Sequence, residues 1–220
     1  MKTAKGHWPV VLAILLGLAG IGAGRAESLA ELKKNAEQGD VGAQLTLGAM
    51  YYIGQGVSQD LAEGAKWFRR AAGQGNTEAQ FSLGYMYDYG QGVPQDSVEA
   101  AKWYRRAAEQ GNPEAQFSLG RMCDYGQGVP QDNAEAAKWY RRAAEQGNPQ
   151  AQTTLGRAYE SGRGVPQDYV QAHKWASLAA IGGDVSAVKH RDIVASKMTR
   201  EQIAEAQESA REWKPKQEGR

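Results

Sequence analysis

Residues 79–114 read AQFSLGYMYDYGQGVPQDSVEAAKWYRRAAEQGNPE, and residues 115–150 read AQFSLGRMCDYGQGVPQDNAEAAKWYRRAAEQGNPQ. The second stretch repeats the first at a step of 36 residues. Self-similarity on that scale marks an array of small stacked units and not one continuous core. The step continues on both sides: Ala-Gln recurs at Ala43 and Ala151, Leu-Gly at Leu47 and Leu155, and Trp67 and Trp175 flank Trp103 and Trp139. Gly54 and Gly162 keep register with Gly90 and Gly126. Four full units result, at 43–78, 79–114, 115–150 and 151–186.

Each unit reads as two helices. In the first, Ala79, Leu83, Met86 and Tyr87 fall at i, i+4, i+7 and i+8, the stripe of an amphipathic helix. Gly84 costs about 1 kcal/mol relative to Ala in an isolated helix, so its return in every unit implies a neighbour packed close against it. The loop Tyr-Gly-Gln-Gly-Val-Pro-Gln-Asp then supplies positive-φ glycines and the stiffening Pro94, Pro130 and Pro166. Asp96 with Glu99, Asp132 with Glu135, and Asp168 with Gln171 have the spacing of a capping box and start the second helix. Within it Ala100, Trp103 and Ala107 line one face, widened by Ala101, Tyr104 and Ala108. Gly75, Gly111 and Gly147 suit a helix C-terminus. Asn76, Asn112 and Asn148 suit the next N-cap, and Pro113 and Pro149 the first turn.

One such hairpin cannot bury its apolar face alone, so the units must stack. The expected class is all-α, a right-handed α-solenoid of antiparallel helix pairs. Its ends need caps. Residues 27–42 form an N-terminal half-repeat, with Leu32 where Phe68 stands and Ala36 one period before Ala72. At the other end Arg141, Arg142 and Glu145 become Ser177, Leu178 and Ile181, an apolar face that must be covered. Residues 187–220 are assigned to capping helices and a tail. The last helix opens at Thr199 with Gln202 and carries Ile203, Ala206, Ala210 and Trp213 on one side. From Lys214 the tail should fray.

The first 26 residues lie outside the repeat. Lys2 and Lys5 precede an apolar run from Trp8 to Ala23, and Gly24 and Ala26 follow, the pattern of a secretory signal peptide cleaved after Ala26. The run is shorter than the ~20 residues that span a hydrocarbon core, so the mature chain from Glu27 should carry no stable membrane span and be periplasmic or secreted. Losing Lys2, Lys5 and Arg25 lowers the basic residues from 26 to 23 against 25 acidic ones, a net charge of −2. That balance offers no electrostatic footprint for nucleic acid. Cys123 is the one cysteine, so no internal disulfide can form and stability must come from packing.

The unit A-x-A-Q-x-x-L-G-x-M-Y, then Y-G-x-G-V-P-Q-D, then A-x-K-W-Y-R-R-A-A-E-Q-G-N resembles the Sel-1-like repeat, a relative of the tetratricopeptide repeat. The resemblance covers about residues 28–198. It implies adaptors in complexes and, in bacteria, exported regulators or scaffolds of the cell envelope. It also leaves two other readings open: a small-ligand or cell-wall-fragment binder, as in the penicillin-binding, β-lactamase-like branch, or a secreted factor for a host protein. The cysteine-rich branch braces each unit with a disulfide. Here Cys123 stands where Tyr51, Tyr87 and Tyr159 stand, a departure that speaks against that activity.

Catalysis needs a nucleophile with a base, a carboxylate pair or a ligand cluster. His173 and His190 are isolated in sequence and read as packing or surface residues. Cys123 sits in a core-facing row. The Gly-x-Gly loops join helix to helix without the spacing of a phosphate site. The recurring Trp, set among alanines, reads as inter-helix core. The ladder Arg69, Arg70, Arg105, Arg106, Arg141 and Arg142 reads as a solvated face, with Arg105–Glu109 and Arg141–Glu145 as i,i+4 pairs. No catalytic residue, metal site or cofactor is expected.

Binding information should sit where the repeat varies. On the first helices one stripe changes from unit to unit: Phe81, Tyr85 and Asp88, then Phe117, Arg121 and Asp124, then Arg157 and Glu160. In tetratricopeptide relatives the matching stripe lines the concave groove, and the resemblance carries that role to these eight positions. The mixture of aromatic and charged side chains suits a protein or peptide partner. Phe81, Tyr85, Phe117 and Arg121 are the expected anchors, on a monomer.

Overall fold

The computed structural model describes residues 28–216. The expected signal segment lies outside them. All regular structure among the described residues is helical, in eleven helices. They are α1 (Leu29–Glu37), α2 (Val41–Ile53), α3 (Leu61–Gly73), α4 (Thr77–Tyr89), α5 (Ser97–Glu109) and α6 (Pro113–Tyr125). Then come α7 (Asn133–Glu145), α8 (Pro149–Ser161), α9 (Tyr169–Ile181), α10 (Val185–Ala195) and α11 (Arg200–Glu212). The all-α class of consecutive helix pairs is thus as expected. The chain forms two compact units, Met1–Ala107 and Ala108–Arg220. In the first, α1 packs on α2, α2 on α3 and α3 on α4. In the second, α6 packs on α7, α7 on α8, α8 on α9, and α9 on both α10 and α11.

Every boundary has a chemical cause. The first helices start where Asp40, Asn76, Asn112 and Asn148 accept the N–H of Ala43, Ala79, Ala115 and Ala151 at 2.6–2.9 Å. They stop at Gly54, Gly90, Gly126 and Gly162, all left-handed. The second helices start at Asp60, Asp96, Asp132 and Asp168, which accept from Glu63, Glu99, Glu135 and Gln171.

Only half of the expected capping box forms at these Asp sites. The N–H of Asp96, Asp132 and Asp168 is already given to the carbonyl of Tyr87, Cys123 and Tyr159 at 2.8–3.0 Å. Glu99 and Glu135 therefore turn outward to Lys102 and Lys138. At Thr199–Gln202 no such carbonyl competes, and the full reciprocal box is made.

The glycine of Leu-Gly is a contact. A Cβ at Gly48 would stand 2.6 Å from the Phe68 ring, at Gly84 2.8 Å from Tyr104, and at Gly120 2.8 Å from Tyr140. In these three units the second helix thus lays an aromatic ring on the bare backbone of the first. The second loop glycine acts likewise one unit back: a side chain at Gly92 or Gly164 would collide with the backbone of Leu61 or Asn133, the first residues of α3 and α7. The repeated Gln residues close the backbone ends. Gln44, Gln80, Gln116 and Gln152 donate from Nε2 to the carbonyls of Ala36, Ala72, Ala108 and Ala144 at 2.9–3.3 Å. Gln74 and Gln146 then donate to the Oε1 of Gln44 and Gln116.

Trp67, Trp139 and Trp175 are buried and Trp103 half-buried, so the indoles are core, as expected. Arg70, Arg106 and Arg142 cover Trp67, Trp103 and Trp139 from outside at 4.5–4.9 Å. The adjacent Arg69 and Arg141 each donate to a tyrosine hydroxyl, of Tyr87 and Tyr159, at 2.7 Å. Glu145, expected to pair with Arg141, instead holds Lys216 at 2.9 Å.

For the described residues 214–216, that pair corrects the expectation of a fraying tail. The Lys216 N–H also donates to the Glu145 carbonyl at 2.8 Å, and Trp213 lies over Gly147, so residues 213–216 are tied to the end of α7. At the front, Leu32 and Ala36 of α1 join Ala43, Leu47 and Trp67 in one cluster, as a half-repeat cap should. At the back, Leu178 is covered but Ile181 stays 80% exposed, so the capping of the fourth unit is incomplete.

Candidate partner-binding stripe

The eight stripe residues sit on α4, α6 and α8. In the first compact unit, Phe81 and Tyr85 differ from the accessible anchors expected: they are 2% and 6% exposed. Phe81 packs against Tyr104 at 5.8 Å between centroids, and Tyr85 against Tyr89 at 4.4 Å. The bare backbone at Gly84 lets Tyr104 lie against the helix beside Phe81. Asp88 is buried as well. The half-exposed aromatic there is Tyr89, a residue the sequence reading did not select.

In the second compact unit the stripe is more open. Phe117 and Arg121 are half-buried and Arg157 is exposed. Phe117 rests on Tyr140 at 5.7 Å. Asp124 is buried beneath Arg163, whose guanidinium lies 3.0 Å from Oδ1 and also donates to the Asp124 carbonyl. The Tyr140 hydroxyl donates to the other oxygen at 3.5 Å. Burial, then the Asp124 charge, raise that hydroxyl well above its ordinary value, so it remains a neutral donor. Arg163 also lies over Tyr125, which is 61% exposed.

Glu160 is clamped twice, by Lys197 at 2.7 Å and by His190 Nε2 at 2.8 Å. The Lys197 hydrogen bond foremost, then that of His190, holds its carboxyl below the usual range against a partial burial that pushes the other way. His190 occupies the place of an aromatic. Ala176 stands where Phe68, Tyr104 and Tyr140 stand in the other units, and the His190 ring from α10 fills the space, with Cε1 3.6 Å from a Cβ placed at Gly156. Its Nε2 meets Glu160 as the Tyr140 hydroxyl meets Asp124 one unit earlier. Nδ1 is buried without a hydrogen-bond partner, so packing fixes the ring as much as polarity does.

The sequence reading passed over Arg163, Lys197 and the His190 contact. Two departures from the repeat carried the signal: Arg163 replaces Gln55, Gln91 and Gln127, and Ala176 replaces the aromatic.

One Ser–His approach resembles a nucleophile and base. Ser177 Oγ lies 3.4 Å from His173 Nδ1, but its hydroxyl donates to the His173 carbonyl at 2.8 Å. Ser177 is thus bonded back to its own helix, and burial foremost lowers the pKa of His173 and keeps that ring neutral. Cys123 is buried, as expected of a core-facing row. Among the described residues no cluster of three or more His, Cys, Asp or Glu side chains could hold a metal ion, and no helix is long and apolar enough to cross a membrane.

Helix pairs joined by Gly-x-Gly loops, docked through a glycine–aromatic contact at a period of 36, define a helical-repeat protein. The Sel1 repeat model matches residues 41–76, 77–112, 113–148 and 149–184, and the chain belongs to the Sel1 repeat family. A Sel1 repeat protein of known structure from Oxalobacter formigenes is similar at 36% identity, with a TM-score of 0.69, over 80% of this chain and 53% of that one. A second similar structure is c5321, described as a protective antigen present in uropathogenic Escherichia coli strains displaying an SLR fold. It is 29% identical, with a TM-score of 0.58, over 93% of this chain and 52% of that one. The chain therefore spans about half the length of these relatives. No curated protein matches it. Repeats of this family serve in general as protein-interaction scaffolds.

Proposed function

We propose that this chain is an exported, non-catalytic adaptor or regulator of the bacterial cell envelope that holds a protein or peptide through the stripe on its first helices. One observation carries the reading: the stripe varies from unit to unit while the residues around it are held constant by packing. In the second compact unit Phe117, Arg121 and Arg157 face the partner. Asp124 and Glu160 are neutralised and held rigid by Arg163, Lys197 and His190. In the first compact unit Phe81, Tyr85 and Asp88 form a packed floor, with Tyr89 as the accessible ring. A rigid surface with one aromatic and two guanidinium groups suits an extended segment bearing apolar and acidic side chains. Export rests on Lys2, Lys5, the apolar run to Ala23 and the small residues to Ala26.

The test is site-specific photocrosslinking from position 121 in the native envelope. A discrete protein adduct is expected, lost in Phe117→Ala/Arg157→Glu while helical circular dichroism and melting stay unchanged. An adduct that survives that double variant rejects the stripe as the binding site. Hydrolytic turnover of a β-lactam by the purified chain would overturn the non-catalytic reading.

A further inference from the structure

Among the described residues, α10 carries more exposed large apolar side chains than any other helix. Its inner side, Ala187, His190 and Val194, is buried against the fold. Its outer side exposes Val185, Val188 and Ile193 at 75%, 36% and 55%, together with Lys189, Asp192 and the C-cap Ser196. α10 begins one period after α8, so Val188 stands where Gln44, Gln80, Gln116 and Gln152 stand. Those glutamines are buried and bonded to a carbonyl. The valine has no such bond to make and remains open.

Positions 185, 188, 189, 192, 193 and 196 form one exposed stripe, symmetric about the midpoint between His190 and Arg191, with exposed Ser186 at its margin. Reversing the helix about that point exchanges Val185 with Ser196, Val188 with Ile193, and Lys189 with Asp192. Two copies of α10 packed antiparallel about a two-fold axis there would set Val188 against the partner's Ile193 and Lys189 against the partner's Asp192, each twice. At its centre the face meets its own reverse apolar on apolar and cation on carboxylate, the complementarity an isologous interface requires, while Val185 and Ser196 at the ends differ. Arg191 holds Asp192 through Oδ1 alone, at 2.7 and 2.9 Å, which leaves Oδ2 as an acceptor.

We infer that α10 is a self-association surface through which a second copy of this chain docks antiparallel, in place of the monomer expected from the sequence. The face is small: an 11-residue helix is roughly 16 Å long, below the usual size of an obligate interface, so the dimer is weak and concentration-dependent. The surface is separate from the partner stripe, so either can fail alone.

Sedimentation equilibrium of the purified chain tests it. The weight-average mass should climb with concentration toward about twice the monomer's, and Ile193→Asp should hold it at the monomer. Lys189→Asp and Asp192→Lys should each suppress association, because like charges then meet. An equimolar mixture of those two variants should restore it, because each acidic face then meets a basic one. A wild-type monomer at every concentration would overturn the proposal. So would association that survives Ile193→Asp, including any through the apolar segment 8–23, or a mixture that fails to restore it. A monomer whose α10 face instead captures a different protein would also overturn it.

Discussion

The pairs α6–α7 and α8–α9 are one period apart and solve the same packing problem with different parts. In α6–α7 the second helix supplies its own ring, Tyr140, which lies on Gly120 and reaches Asp124. In α8–α9 the second helix has only Ala176, and the ring arrives from α10 as His190, lying near Gly156 and reaching Glu160. A regular unit is closed by its own pair, whereas the terminal one borrows its closure. In both pairs a ring stands by a glycine with its polar atom on a carboxylate, and only the element supplying the ring changes.

The strongest way to break this comparison is to remove core from the regular pair. Trp139→Ala should cost about 3–5 kcal/mol, since it empties a buried site. Trp213→Ala, at a half-buried tail position, should cost well under half of that. Equal losses in thermal denaturation would mean that the tail is as integral as the repeat.

A sharper version compares the glycines. Gly120→Ala forces a Cβ to within 2.8 Å of Tyr140 and 3.2 Å of the Ala136 carbonyl oxygen, an overpacking worth about 1–3 kcal/mol. At Gly156 the nearest atoms are 3.2–3.6 Å away, so a small clash is offset by the ~1 kcal/mol helix preference of Ala over Gly. Chemical denaturation should show Gly156→Ala near wild type and Gly120→Ala clearly below it.

The smallest effect is in pH. The Glu160 carboxyl is held below its ordinary value, so its stabilisation is present above about pH 4.3 and is lost as pH falls through the lowered folded value. Glu160→Gln should melt lower than wild type at neutral pH, and the gap should close in acid. A gap that is constant with pH would mean that the His190–Glu160–Lys197 cluster acts by shape alone.

Much of this architecture is legible in the amino-acid order because it is written four times. The period, the Asp and Asn caps and the buried indoles all follow from it, as does the contact role of Gly84. What escapes is what depends on depth or on a partner outside the period. Periodicity places Phe81 and Tyr85 on a face of α4 but cannot say how deep that face lies, with Phe81 against Tyr104 and Tyr85 against Tyr89. Glu99, Glu135 and Gln171 look like half of a capping box because the competing carbonyls of Tyr87, Cys123 and Tyr159 are invisible without the fold. His190 looks isolated because its relation to Glu160 is spatial, across 30 residues, and no second copy of the motif exists to reveal it.

The borrowed closure is tested most directly by hydrogen exchange on a chain lacking residues 185–216. With α10 and α11 removed, the amides of α8 and α9 should lose most of their protection, while those of α6 and α7, closed by Tyr140, keep more of theirs. Protection of α8 and α9 equal to that in the intact chain would contradict the account, because the fourth unit would then close without His190.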